Sequence, residues 1–144
     1  MYIDSAIIVK LLVKEELSDF FQDSLAEIVL HTSELSLVEV GSALLSKVRS
    51  KSISEKQRLV ARQIFQHKLA DEQIVILPLD SPVYSKARSF IEFCHPAVAL
   101  RTLDAIHLAA CDISQEFPLC ATDSRMRAAA TKLGIPIFPE ALPS

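Results

Sequence analysis

The chain of 144 residues is 50% apolar and 23% charged, a balance that suits one folded domain over residues 1–144 and excludes general disorder. Its two glycines, Gly41 and Gly134, exclude a G-x-G-x-x-G fingerprint and a Walker A loop. Its three separated cysteines, with no C-x-x-C, exclude a zinc ribbon and a thioredoxin-like motif. The net charge of −3 hides an uneven distribution: residues 47–68 carry seven basic side chains against Glu55 alone, +6, which leaves −9 on the remainder.

Short β-like runs alternate with helical periodicity along the chain, the pattern of an α/β fold with a parallel sheet. Tyr2-Ile3 reads as a strand and residues 5–13 as a helix. A second helix is predicted over 15–26, with Leu17, Phe20, Phe21 and Leu25 as its apolar stripe. Residues 28–31 form the next strand, and Leu37, Val40, Leu44 and Val48 give helical spacing over 36–49. Ser54-x-x-Gln57 has the form of a capping box opening a helix over 55–70. Residues 74–79 are the most β-like run. Ser81 then supplies an N-cap, and Pro82 the first position, of a helix to about Phe93. Helices over 102–113 and 124–133 flank a strand at 119–121; Gly134 stops the last helix before a strand at 135–138.

The longest stretch without Asp, Glu, Lys or Arg is residues 93–100, far short of the ~20 residues of a membrane helix. No basic segment precedes an apolar one at the N-terminus, so a cytoplasmic protein is expected. Cys94, Cys111 and Cys120 sit among apolar neighbours and read as small buried hydrophobes.

In parallel α/β sheets ligands sit beyond the carboxyl ends of the strands. Four acids lie where that edge should be. Asp4 and Asp123 each follow a strand and open a helix, as N-caps do. Ser36-x-x-Glu39 fits a capping box, and Asp104 lies in the first turn of a helix, where its charge meets the helix dipole favourably. Each acid has this plain structural explanation. Together, carboxylates about 6 Å apart repel by roughly 2–3 kcal/mol per pair at an effective dielectric near 20. A bound cation or raised pKa values relieve that repulsion. An all-oxygen ligand set suits hard cations such as Mg²⁺ or Mn²⁺, which activate water and polarise phosphodiesters.

At these residues the chain resembles the PIN-domain nucleases, most closely the VapC-type toxins of bacterial toxin–antitoxin pairs. The matching segments are Tyr2-Ile3-Asp4-Ser5-Ala6, Leu37-Val38-Glu39-Val40, Arg101-Thr102-Leu103-Asp104-Ala105-Ile106-His107-Leu108-Ala109 and Ala121-Thr122-Asp123-Ser124-Arg125-Met126, and the tail around Leu133-Gly134-Ile135 is also similar. The resemblance implies a three-layer α/β/α sandwich with a mainly parallel central sheet. It implies a Mg²⁺- or Mn²⁺-dependent endoribonuclease, leaving a 5′-phosphate and a 3′-hydroxyl. By position, Asp4, Glu39, Asp104 and Asp123 are the catalytic and metal-binding acids. Asp4 and Asp104 are the direct ligands, Glu39 and Asp123 act directly or through water, and Ser5 is a hydrogen-bonding partner at the pocket's edge. A cognate antitoxin protein, an RNA substrate and a homodimer are the implied partners. One departure is Ala121, where the family often has Thr or Ser; the hydroxyl here belongs to Thr122.

Arg58 and Arg62, four apart on one helix face, are candidate contacts for RNA phosphates, with a solubilising surface as the alternative. His107 shares a helix face with Asp104 and reads as a packing or hydrogen-bonding residue rather than a metal ligand. Asp112 is expected to face solvent. The competing function is a catalytically inactive PIN-like module that binds RNA or protein. An Asp-based phosphatase would want Asp-x-Asp after the first strand, where the chain has Asp4-Ser5-Ala6.

Overall fold

A computed structural model describes residues 1–144. The elements run β1 (Tyr2–Ile3), α1 (Ser5–Leu12), α2 (Ser18–Leu25), β2 (Leu30–Ser33), α3 (Leu35–Arg49), α4 (Glu55–Ala70), β3 (Ile74–Leu77), α5 (Ser81–Cys94), α6 (Thr102–Ser114), β4 (Leu119–Cys120), α7 (Ser124–Leu133) and β5 (Ile137–Phe138). The five strands form one sheet in the order β3-β2-β1-β4-β5, and every pairing is parallel. The three-layer α/β/α reading of the sequence holds.

The layers follow from the strand order. The chain winds outward from β1 through β2 to β3, then returns past β1 to β4 and winds the other way. Right-handed crossovers place the connecting helices on one face while the chain moves in one direction, and on the other face after it reverses. Accordingly α1–α4 cover one face and α5–α7 the other. Alternation along even a two-residue strand serves both layers. Tyr2 and Leu119 point into the core beneath α5–α7, and Ile3 and Cys120 into the core beneath α1–α4. The α6 helix is buried along the whole run from Ala105 to Cys111, the pattern of a helix enclosed on all sides. No helix is long and apolar enough to cross a membrane.

Local chemistry sets the boundaries. Ser54 and Gln57 make the reciprocal capping box, with Gln57 N donating to Ser54 Oγ at 3.1 Å and Ser54 N to Gln57 Oε1 at 2.7 Å. Gly134 ends α7 in the left-handed region at φ 73°. Two expected caps are corrected. Ser81 is the first residue of α5, and the cap is Asp80, whose carboxylate accepts from Val83 N at 3.4 Å. The Ser36–Glu39 capping box does not form, because α3 starts at Leu35 and the buried Ser36 hydroxyl bonds Thr32 Oγ1 at 2.6 Å.

The β2 strand lies two residues later than its sequence pattern suggests. Register decides this: Leu30 pairs with Ile74 and Ser33 with Leu77, while Ile28 and Val29 stay exposed. The second helix starts at Ser18, whose hydroxyl accepts from Glu15 N at 3.0 Å and donates to Val13 O at 3.1 Å, holding the preceding residues as a turn. All three cysteines are free and buried, as expected. Asp112 is half-buried rather than solvent-facing, and it pairs with Lys86.

Leu108, with no exposed surface, packs in the core beneath α5–α7, whereas Leu59 on α4 is 45% exposed. Leu108→Ala is expected to lower unfolding free energy by roughly 2–5 kcal/mol, and Leu59→Ala by less than about 0.5 kcal/mol, in denaturant titrations.

Candidate active site

The strand order reverses between β1 and β4, and in parallel sheets that switch point opens a crevice at the carboxyl ends. Asp4 directly follows β1. It caps α1 through Oδ1, which accepts from Ile7 N at 3.0 Å, and it is only 4% exposed. Asp123 follows the neighbouring β4 and caps α7 the same way, accepting from Met126 N at 2.8 Å. Topology alone brings these two acids to one edge. Asp104, in the first turn of α6, and Glu39, on α3, approach from the two helical layers.

Electrostatics link the four. Burial pushes the Asp4 carboxyl up to about 6; His107 and the Ile7 amide pull it back, and the charges of Glu39 and Asp104 raise it. Asp104 is also raised, by burial and then by the charge of Asp123, against the opposing pull of Arg101 and His107. The sequence-predicted acids therefore share one charged neighbourhood. No three of them already close into a ligand cage. Their donor chemistry nevertheless fits a hard cation. All the side-chain donors are oxygen, Asp4 is buried, and Asp104 Oδ2 is enclosed without a hydrogen-bond partner. Its contact with Arg101 Nε at 3.3 Å is an ion pair that lacks hydrogen-bond geometry.

Two residues undervalued by sequence reasoning organise the site. His107 is 1% exposed. Its Nε2 lies 2.6 Å from Glu39 Oε1 and its Nδ1 2.8 Å from the Tyr2 hydroxyl. An ionised carboxylate only accepts, so Nε2 donates to Glu39, and Nδ1 meets the Tyr2 hydroxyl on the other side of the ring. Burial holds the Tyr2 phenol well above its usual range, so its hydroxyl keeps its proton. The chain Tyr2–His107–Glu39 thus joins β1, α6 and α3. The clue in the sequence was a histidine inside an Ala/Leu-rich helix, which must find polar partners once buried. Arg101, at the N-cap of α6, is the second. It reaches Asp104 as described and donates from Nη2 to Asp123 Oδ2 at 3.0 Å. Its place three residues before Asp104 was the available signal.

Ser5 is half-buried beside Asp4. Arg58 and Arg62 lie elsewhere, lining a groove of about 260 Å³ between α3 and α4 with Leu37, Val40 and Phe65. Arg58 Nε is held by Glu55 at 3.0 and 2.9 Å, and neither arginine pairs with the four acids. A cavity of about 710 Å³ opens at the amino ends of β2 and β3 near Leu30 and Ile74, away from the carboxylates.

His107→Leu strands both the Glu39 carboxylate and the Tyr2 hydroxyl. It should lower stability by about 2–4 kcal/mol in chemical denaturation, with partial recovery in His107→Gln, whose amide still donates to Glu39.

The PIN domain family model matches residues 1–132. Ribonuclease VapC46 of Mycobacterium tuberculosis (strain ATCC 25618 / H37Rv) is 35% identical over 146 residues, covering 96% of this chain and 95% of that protein. Among solved structures, FitAcB from Neisseria gonorrhoeae matches with a TM-score of 0.67 at 16% identity, over 95% of each chain. VapC20 of Mycobacterium tuberculosis, a sarcin–ricin loop cleaving toxin, matches with a TM-score of 0.68 at 15% identity, over 89% of this chain and 93% of that one. The solved structures agree with the fold, and the sequence matches carry kinship. The chain belongs to the PIN-domain family and is of its VapC type.

Proposed function

We propose that residues 1–144 form a single domain that is a metal-dependent endoribonuclease, the toxin of a toxin–antitoxin pair. The observation that carries this reading is the buried Asp4 beside Asp104, whose enclosed Oδ2 has no hydrogen-bond partner, in a chain of this family. Unpartnered buried carboxylate oxygens are costly unless a cation or proton meets them.

Asp4 and Asp104 are the residues that would hold Mg²⁺ or Mn²⁺, with Glu39 and Asp123 completing the acidic set directly or through water. When bound, such a cation supplies Lewis acidity and a water of lowered pKa for phosphodiester hydrolysis. The amide bonds from Ile7 and Met126 fix Oδ1 of Asp4 and Asp123, so each acid presents its other oxygen in a set direction. His107 holds one oxygen of Glu39 and leaves the second free for water or substrate. Ser5 is assigned a hydrogen bond at the pocket edge. Arg58 and Arg62, on the basic α4, are assigned to backbone phosphates outside the acidic centre. RNA, a cognate antitoxin and a second copy of the chain are the proposed partners, in the cytoplasm.

The test is end-mapping of total RNA incubated with purified protein and Mg²⁺ or Mn²⁺. New ends at discrete sites are expected, lost with chelator and reduced at least ~100-fold in Asp4→Asn and Asp104→Asn. Wild-type cleavage by either variant would overturn the site, and RNA bound but uncut would favour the binding module. Asp4→Asn removes a buried, repelled charge. In chelator at pH 7 it should therefore melt no lower than wild type, which separates lost chemistry from lost folding.

A further inference from the structure

Arg101 is the one basic side chain ion-paired to the acidic set other than the histidine that holds Glu39. Its side chain is 59% exposed, yet the guanidinium spans two carboxylates on separate elements. Nε lies 3.3 Å from Asp104 Oδ2 and Nη2 lies 3.0 Å from Asp123 Oδ2. It makes no capping bond at the start of α6. Arginine keeps its charge at every accessible pH, so it cannot yield these oxygens by losing a proton. A divalent cation needs the same oxygens at about 2.1 Å. A guanidinium held at those oxygens then sits close to the ion and repels it.

We infer that Arg101 is a displaceable counter-cation: it neutralises Asp104 and Asp123 in the metal-free chain and must leave both before a divalent ion can be held there. The inference rests on the metal-dependent reading above. Two properties make displacement feasible. The side chain is solvent-exposed, so leaving the pocket uncovers no core. Its bond to Asp104 is also incomplete, because Oδ2 stays without a true hydrogen-bond donor. Once released, the planar fork of donors lies at the mouth of the site with the geometry that matches a phosphate.

A positioning role and a competing role predict opposite signs. If Arg101 only ordered the acids for metal, its loss would weaken metal binding. If it competes, its loss tightens metal binding while the metal-free protein becomes less stable, because the acids lose their counter-charge. The experiment is isothermal titration of Mn²⁺ into chelator-stripped wild type, Arg101→Gln and Arg101→Lys, with thermal melts of each in chelator. The expected result is roughly tenfold tighter Mn²⁺ binding by Arg101→Gln, together with a lower melting temperature in chelator. Arg101→Lys, which keeps the charge, should stay near wild type in both readouts. Unchanged or weaker Mn²⁺ binding by Arg101→Gln, with normal binding by wild type, overturns this inference alone. Failure of every variant to bind Mn²⁺ overturns both this inference and the metal-dependent reading. Binding by Arg101→Gln where wild type shows none supports competition in its strongest form.

Discussion

A carboxylate at the end of the central strand, 4% exposed and facing other acids, is the constraint that the surrounding structure answers. Burial alone makes the Asp4 charge expensive. The fold offsets that cost with a fixed amide from Ile7, the N-terminus of α1 and the imidazole of His107. The same need recurs at Asp123 and Asp104, where Arg101 supplies the opposing charge. Asp123 is met on both oxygens, by the Met126 amide and by Arg101, whereas Asp4 and Glu39 each have one oxygen hydrogen-bonded and Asp104 has only its ion pair with Arg101. Three of the four acids therefore retain capacity for a further partner.

The sheet makes this possible with little material. The β1 strand is two residues long, yet it sits between β2 and β4 and contributes one side chain to each core. Tyr2 also anchors His107, so the packing of the core beneath α5–α7 and the orientation of Glu39 on the opposite layer depend on one phenol. The buried run of α6 explains how Asp104 and His107 are held. A helix enclosed from Ala105 to Cys111 has little freedom to rotate, so residues three apart keep their separate targets.

Much of this was legible in the sequence. Asp4 and Asp123 stand where a strand meets a helix, and their capping geometry follows from that position. The α/β alternation, the Ser54–Gln57 box and the Gly134 stop are local signals that tertiary packing did not override. The capping box expected between Ser36 and Glu39 does not form. The Ser36 hydroxyl bonds Thr32, a partner visible only once β2 is in register with β3. The same register moved β2 two residues onward. His107 and Arg101 were undervalued because their partners are not local alone: Glu39 is 68 residues from His107, and Asp123 is 22 residues from Arg101. Periodicity reports which face a residue occupies, but not which distant acid shares that face.

The pairing of Tyr2 with Leu119 and of Ile3 with Cys120 has a consequence for the order in which the molecule is made. The second residue of the chain waits for the hundred-and-nineteenth before the central strand has both neighbours. Asp123 and the helix it caps come later still. During synthesis, at roughly 5–20 residues per second, the amino-terminal acid spends several seconds without its counterpart. A nascent chain therefore has no assembled acidic centre until residues 119–133 have left the ribosome. In a chain of this family, pairing the second residue with the hundred-and-nineteenth ties the assembly of the acidic centre to the late folding of β4 and α7.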